Sequence, residues 1–329
     1  MISRRDAIAA IVFYVVSVLL FPATLIGYLL WVMKIYARRA SGVSGTAQGP
    51  LSARWLHHRL GTRCDEPAHQ LLMVLPDVSP LAVWLVFGPM LLANYLSGYV
   101  PQTFRYPFEG AVTLQNQAAA RQTFYDSAVD RYLAGVGQFV ILGAGFDTRT
   151  FRLPKEVRSH LRSFEVDAPK TMAIKRDVLQ QSGIDQAGVA LVSADFDKED
   201  WLSRLVAEGF DVHKPTLFLW EGVTPYLDKT AVEDTLRKIA VTAEGSTLAF
   251  DYITTEVLES RALHLRILRA SLRAGGEPLK FGIDSMPPSS ERLAELLRSC
   301  GLSLTELHIV GQEMGGKRAL GGFAIAIVK

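Results

Sequence analysis

From Ala7 to Met33 the chain runs for 27 residues without a charge, AIAAIVFYVVSVLLFPATLIGYLLWVM, between Arg4 and Arg5 on one side and Lys34, Arg38 and Arg39 on the other. A helix of that length reaches roughly 40 Å, longer than the roughly 30 Å hydrocarbon layer. The pattern therefore predicts an N-terminal transmembrane helix over residues 1–40, tilted or kinked at Pro22. A signal peptide would have a shorter apolar core and a small-residue cleavage site, whereas this stretch continues into Trp31, Lys34 and Tyr36. A second uncharged stretch, Val78 to Phe104, contains Pro80, Pro89, Pro101, Gly88 and Gly98, which are expected to interrupt any single helix. Between the two, residues 34–77 carry six Lys or Arg and three acids, the bias of a cytoplasmic segment. One crossing is therefore expected, with residues 78–104 docked in the interface or on the domain and the C-terminal domain cytoplasmic.

Residues 41–50, SGVSGTAQGP, read as a linker, and 41–137 as a helical N-terminal region. From Phe139 onward short apolar runs alternate with amphipathic segments: FVILGAG, RSFEVD, ALVSADF, TLFLWEGV and STLAFDYI. That alternation predicts parallel strands with helices on both faces. Two late strands, LTELHIV and FAIAIVK, follow a helical insertion at 256–274 and a helix at 290–299. Joined by a Gly-rich connection, they read as a hairpin, so one runs antiparallel. The expected fold is α/β, a doubly wound seven-stranded mostly parallel sheet over residues 138–329, with the helical N-terminal subdomain and membrane helix before it.

Composition narrows the picture. Hydrophobic residues make up 49% and charged residues 21%, which excludes a disordered chain. The net charge of +2, without a basic run, argues against a nucleic-acid partner. Cys64 and Cys300 are too few for a disulfide scaffold, and the pair His57–His58 has no third ligand near it, so no metal site is expected.

The candidate chemistry sits at strand ends. The first strand ends in Gly143-Ala144-Gly145, where backbone can approach a nucleotide-like ligand. Twenty-four residues after Gly143, Asp167 closes the second strand, where a carboxylate can bind a ribose diol. Asp195 follows in SADF, placed for an exocyclic amine, with Phe196 offering apolar surface to a base, and Glu221 ends the fourth strand in LWEGV. Acids at successive strand ends suit a cationic or amine-bearing ligand at the switch point of the sheet. A dinucleotide wants a third glycine at position 148 for its diphosphate, but Thr148 stands there and Asp147 before it would repel phosphate. S-adenosyl-L-methionine has no phosphate and a positive sulfonium, and fits these acids better than NAD(P). The near phosphate loop GQEMGGKR at 311–318 lacks the required Ser or Thr.

The strings ARQTFYD at 120–126, VILGAGFDTRTFRL at 140–153, FEVD at 164–167, SADF at 193–196 and WEGVTPYL at 220–227 resemble the leucine carboxyl methyltransferase family of class I S-adenosylmethionine-dependent methyltransferases. The resemblance covers roughly residues 45–329 apart from 78–104, and the anchor is not part of it. It implies that Arg121 holds the cofactor's carboxylate and that Gly143 and Gly145 pass under its amino acid end. By the same resemblance Asp167 binds the ribose, Asp195 and Phe196 the adenine, Glu221 the amino group, and Arg54 is a second basic contact. A carboxylate acceptor would need no general base, while a hydroxyl would; His213 and His264 are the candidates for one, and Tyr226 and Tyr252 for lining the acceptor pocket. The expected activity is S-adenosylmethionine-dependent O-methylation of a carboxylate or hydroxyl on an amphiphilic, small-molecule or lipidic acceptor. A non-catalytic cofactor-binding membrane scaffold and an NAD(P)-dependent oxidoreductase are the alternatives.

Overall fold

The computed structural model describes residues 4–37, 45–313 and 315–329. The chain divides into two compact units. The first comprises Met1–Phe108, Phe146–Arg152 and Ile174–Asp185; the second comprises Glu109–Gly145, Leu153–Ala173 and Gln186–Lys329.

The first unit is helical: α1 (Arg4–Leu19), α2 (Phe21–Ala37), α3 (Gly45–Arg59), α4 (Glu66–Val74) and α5 (Pro80–Ser97). The stretch expected as one spanning helix is thus two, α1 and α2, bent by 57°. Pro22 explains the break: it has no N–H for the Val18 carbonyl and its ring crowds that carbonyl, so the ladder resumes with the Thr24 N–H on the Leu20 carbonyl, at 3.3 Å. Conversely, the second uncharged stretch, expected to be interrupted, forms one 18-residue helix. Ser79 caps its start, Pro80 lies in the first turn where no N–H is needed, and Gly98 ends it with φ 69°, so only Gly88 and Pro89 are interior. By length and composition α5, and α1 with α2 as a bent pair, are the described segments able to cross a bilayer. Gly45–Pro50, expected as linker, are the first turns of α3; residues 41–44, like Arg38 and Arg39 of the basic flank, lie outside the described residues. Leu51 and Trp55 of α3 are fully buried, and their packing outweighs the poor helix propensity of the Gly-rich start.

The second unit contains a seven-stranded mixed sheet: β1 (Gln138–Leu142), β2 (Arg162–Asp167), β3 (Val189–Ser193), β4 (Thr216–Trp220), β5 (Thr247–Ile253), β6 (Leu302–Val310) and β7 (Gly321–Val328). The order is β3-β2-β1-β4-β5-β7-β6. The first five strands are parallel, and β7 runs antiparallel to both β5 and β6, as the hairpin reading requires. The sheet centre reads as continuous apolar runs: every residue of β1 and of β4 is buried, as parallel strands covered on both faces demand. The remaining helices are α6 (Gln117–Tyr132), the single-turn α7 (Arg149–Arg152), which belongs to the first unit, α8 (Lys155–Arg158), α9 (Pro169–Ser182), whose part from Ile174 on also belongs to the first unit, α10 (Trp201–Ala207), α11 (Lys229–Ala240), α12 (Thr255–Glu259), α13 (Leu263–Ala274) and α14 (Ser289–Ser299). From β1 the sheet grows outward to β2 and β3, and from β4 to β5, so the order reverses between β1 and β4. Their carboxyl ends form the crevice in which such sheets bind ligands.

Candidate active site

Strand register places the candidate residues. Leu142 pairs with Val166 and with Trp220, and Trp220 with Phe250. The next residues, Asp167, Gly143, Glu221 and Asp251, therefore form one row along the carboxyl edge. At about 4.8 Å per strand, Asp167 and Glu221 are on the order of 10 Å apart, on either side of the glycine turn. Asp195 lies two residues beyond the end of β3 rather than at it.

The glycine turn is sterically dictated. Gly143 has φ 65° and Gly145 φ 45°, left-handed values that L side chains rarely adopt. A Cβ on Gly143 would stand 2.1 Å from Cγ2 of Val223 in the loop after β4. This turn directs the Gly145 N–H at Oδ2 of Asp167 (2.6 Å), while the Ala168 N–H donates to Oδ1 (2.7 Å). The two amides fix the orientation of the carboxylate.

Across the switch point stands a second cluster, part of which the sequence reading missed. Arg121, from α6, places Nη1 3.2 Å from Oδ2 of Asp251 and Nε 3.5 Å from Oε1 of Glu221. Asp251 also accepts from the Gly222 N–H (2.6 Å) and the Tyr125 hydroxyl (3.1 Å), and that hydroxyl lies 2.9 Å from the Trp220 carbonyl. Burial works against the Arg121 charge, but Asp251 and Glu221 more than offset it and hold the guanidinium protonated. Burial pushes the Asp251 carboxyl above the usual carboxylate range, with Arg121 and the Gly222 N–H opposing. Tyr125 is pushed well up by burial and then by the charges of Asp251 and Glu221, so it remains a donor. Asp251 and Tyr125 were missed because Asp251 sits inside the apolar run LAFDYI; an acid in so buried a strand was the available signal.

Asp195 is peripheral by comparison. Its Oδ2 accepts from exposed Lys198 at 2.9 Å and its Oδ1 from the Asp197 N–H, while half-buried Phe196 packs toward Trp201, ring centroids 6.2 Å apart. Arg54 belongs to the first unit, where it is buried and paired with Asp147 at 2.9 Å. Asp147 also accepts from the Arg149 N–H and guanidinium, and the Lys175 ammonium donates to the Asp147 carbonyl. Burial alone would raise the Asp147 carboxyl, but Arg149 and Arg54 hold it far below the usual range. This corrects the expectation that a bare acid repels phosphate here: the charge of Asp147 is neutralised, and the case against a diphosphate rests on the row of acids. Arg149 is fully buried against Asp147. His57 is buried beside the Tyr106 ring. His213 precedes β4, at the opposite edge of the sheet from the row. Among the described residues no group of three potential metal ligands occurs.

A cavity of about 530 Å³ opens at the same carboxyl edge, beyond β5. The register pairs Ile253 and Val310 with Gly321, so the end of β6 and the start of β7 share this edge. The lining includes Thr113, Glu256, Ser260, His264, Lys317 and Arg318. Tyr252 does not line it; the ring is buried beside Phe250.

Three carboxylates and one guanidinium in a row, with glycines where backbone must approach, suit a ligand with a diol, an ammonium, a carboxylate and a positive centre. They do not suit a diphosphate. The fold and this donor set define a class I S-adenosylmethionine-dependent methyltransferase, and the comparisons agree. The profile of the leucine carboxyl methyltransferase family matches residues 105–240. A Mycolicibacterium smegmatis protein provisionally named an S-adenosyl-L-methionine-dependent methyltransferase is 33% identical over 249 residues, 74% of this chain and 78% of that protein. A Mycolicibacterium gilvum protein of similar name is 34% identical over 186 residues, but there the match spans only 57% of the relative. A solved DUF574 family protein from Streptomyces avermitilis aligns over 84% of this chain and 97% of its own, at 16% identity and TM-score 0.46. The chain belongs to the leucine carboxyl methyltransferase family, and its cofactor is S-adenosyl-L-methionine.

Proposed function

We propose that the protein methylates an oxygen, a carboxylate or hydroxyl, of an amphiphilic acceptor at a membrane surface. The observation that carries this is the cofactor row lying at the same sheet edge as a cavity with basic side chains. S-adenosyl-L-methionine supplies an electrophilic methyl on a positive sulfur. Asp167 would accept the ribose hydroxyls, and the Gly143–Gly145 turn would let backbone pass beneath the amino acid tail. Glu221 would accept from its ammonium, Arg121 would donate to its carboxylate, and Asp195 with Phe196 would border the adenine. Asp251 and Tyr125 position Arg121 and the Gly222 turn without touching the reacting atoms. Arg54 acts through Asp147, steadying the chain just beyond Gly145.

In-line displacement needs alignment and exclusion of water more than proton transfer. A carboxylate acceptor is already ionised at neutral pH, so no base is required of this site. Lys317 and Arg318 at the cavity would orient an anionic headgroup; His264 would serve as base if the acceptor were a hydroxyl. Support for an amphiphile comes from α13, which flanks the cavity with exposed Leu263 and Ile267 next to Arg266 and Arg273, the pattern of a helix lying on a membrane surface. The first unit supports the same location with its exposed apolar helices.

The test is formation of S-adenosylhomocysteine by the full chain with a lipid extract, with Asp167→Ala as control. Turnover lost in the control supports the reading. Cofactor binding without turnover on any acidic or hydroxylated lipid would favour a scaffold. A Lys317→Ala, Arg318→Ala chain is expected to raise KM for an acidic acceptor while leaving cofactor affinity unchanged.

A further inference from the structure

Resting on that membrane reading, we infer that the first unit enters the bilayer from one side only, as an in-plane wedge in a single leaflet, and that no helix crosses.

The argument is topological and stays within the first unit. Helix α5 runs antiparallel along α2 and then α1. At one end Lys34 Nζ donates to the Val78 carbonyl at 2.6 Å. Further along, a Cβ on Gly27 would lie 2.6 Å from Leu85 Cβ, and the Trp31 and Phe87 rings are 6.0 Å apart. At the far end Tyr99 meets Phe13 and Tyr14, with ring centroids 5.5 and 6.0 Å apart. If α1 and α2 crossed a membrane, α5 would lie beside them across the same thickness and would have to cross as well.

A crossing by α5 would separate everything before Ser79 from everything after Gly98. Yet Arg54 pairs with Asp147 at 2.9 Å, and the Thr148 hydroxyl donates to Asp65 at 2.9 Å. Both contacts join residues before α5 to residues after it. They demand an even number of crossings between, and from Ser97 to Asp147 no second segment is long and apolar enough to supply one.

Depth gives an independent argument. Trp55 of α3 packs on Trp84 and Phe87 of α5, and the Arg59 guanidinium lies 5.1 Å from the Trp84 ring centre. Phe87 is roughly 10 Å along α5 from its start, so a spanning α5 would carry polar α3 deep into hydrocarbon. A one-sided wedge leaves α3 at the interface instead. It also leaves the exposed Val18, Leu19, Phe21 and Met33 for lipid.

The test uses the full chain in sealed right-side-out and inside-out vesicles from expressing cells, treated with an impermeant maleimide. Cysteines are read one at a time: native Cys64, which is exposed, then Arg4→Cys and Lys329→Cys in a Cys64→Ser chain. Buried Cys300 stays in place, and the Cys64→Ser chain is the blank. The expected result is that all three sites label severalfold more strongly in the same vesicle orientation. Arg4→Cys labelling opposite to the other two would overturn the inference in favour of one crossing. Cys64 labelling opposite to Lys329→Cys would overturn it in favour of α5 crossing. Chain that does not float with vesicles would sink the membrane reading itself, and this inference with it.

Discussion

Gly143→Ala tests whether the turn after β1 is as tightly specified as its geometry implies. At φ 65° an alanine costs about 1–2 kcal/mol for the left-handed backbone. Its methyl would also stand 2.1 Å from Val223 Cγ2 and 3.2 Å from Val223 Cβ. Relieving that overlap costs about 1–3 kcal/mol more, the usual range for an overpacked site. The expected total is about 2–5 kcal/mol, read by denaturant unfolding in mild detergent, with weaker S-adenosyl-L-methionine binding by calorimetry because the Gly145 N–H no longer fixes Asp167. Val223→Ala removes the clashing methyl but not the backbone cost. The double variant is therefore expected to recover about 1–3 kcal/mol relative to additive behaviour. Gly143→Ala within about 0.5 kcal/mol of wild type, or a strictly additive double variant, would refute the steric reasoning.

Other outcomes follow from the same geometry. Asp251→Asn faces the Gly222 N–H and Arg121 with an amide while Arg121 keeps Glu221, and is expected to cost about 1–3 kcal/mol of stability and at least tenfold in cofactor affinity, measured by unfolding and calorimetry. Asp147 is held below its unfolded pKa, so its contribution is complete above about pH 4 and is lost as pH falls further. The stability gap between wild type and Asp147→Asn should therefore narrow below about pH 4 in a pH series of melting temperatures. Gly27→Val would force α2 from α5 at Leu85 and is expected to lower the melting temperature in detergent while leaving cofactor affinity unchanged.

Legibility varied with how local the determinants are. The strands could be read because each buried run of the sheet is short, apolar and bounded by turns, and the hairpin showed that one of the last two strands runs antiparallel, though not that it is β7, which only its pairing with β5 decides. Asp167 and Glu221 could be read because they immediately end such runs. Asp251 could not, since its role exists only through the register of β5 on β4 and the reach of Arg121 from α6. The prolines near residue 80 looked like interruptions, but helix position decides what proline does: Pro80 starts α5, Pro22 breaks α1 from α2, and Pro89 is carried inside. The start of α3 looked like linker because Gly, Ser and Thr have weak propensity, and only the burial of Leu51 and Trp55 overrides that. The neutralisation of Asp147 by Arg54 joins positions 93 residues apart, beyond any local pattern.

Titration of the purified chain with S-adenosyl-L-methionine and, separately, NAD, each repeated on Asp167→Ala, tests the acid row directly. The account predicts one bound S-adenosyl-L-methionine per chain, weakened roughly 100-fold or more when two hydroxyl-to-carboxylate hydrogen bonds of about 1.5–3 kcal/mol each are removed, and no comparable NAD binding. Tighter binding of NAD, or S-adenosyl-L-methionine affinity indifferent to Asp167, would contradict it.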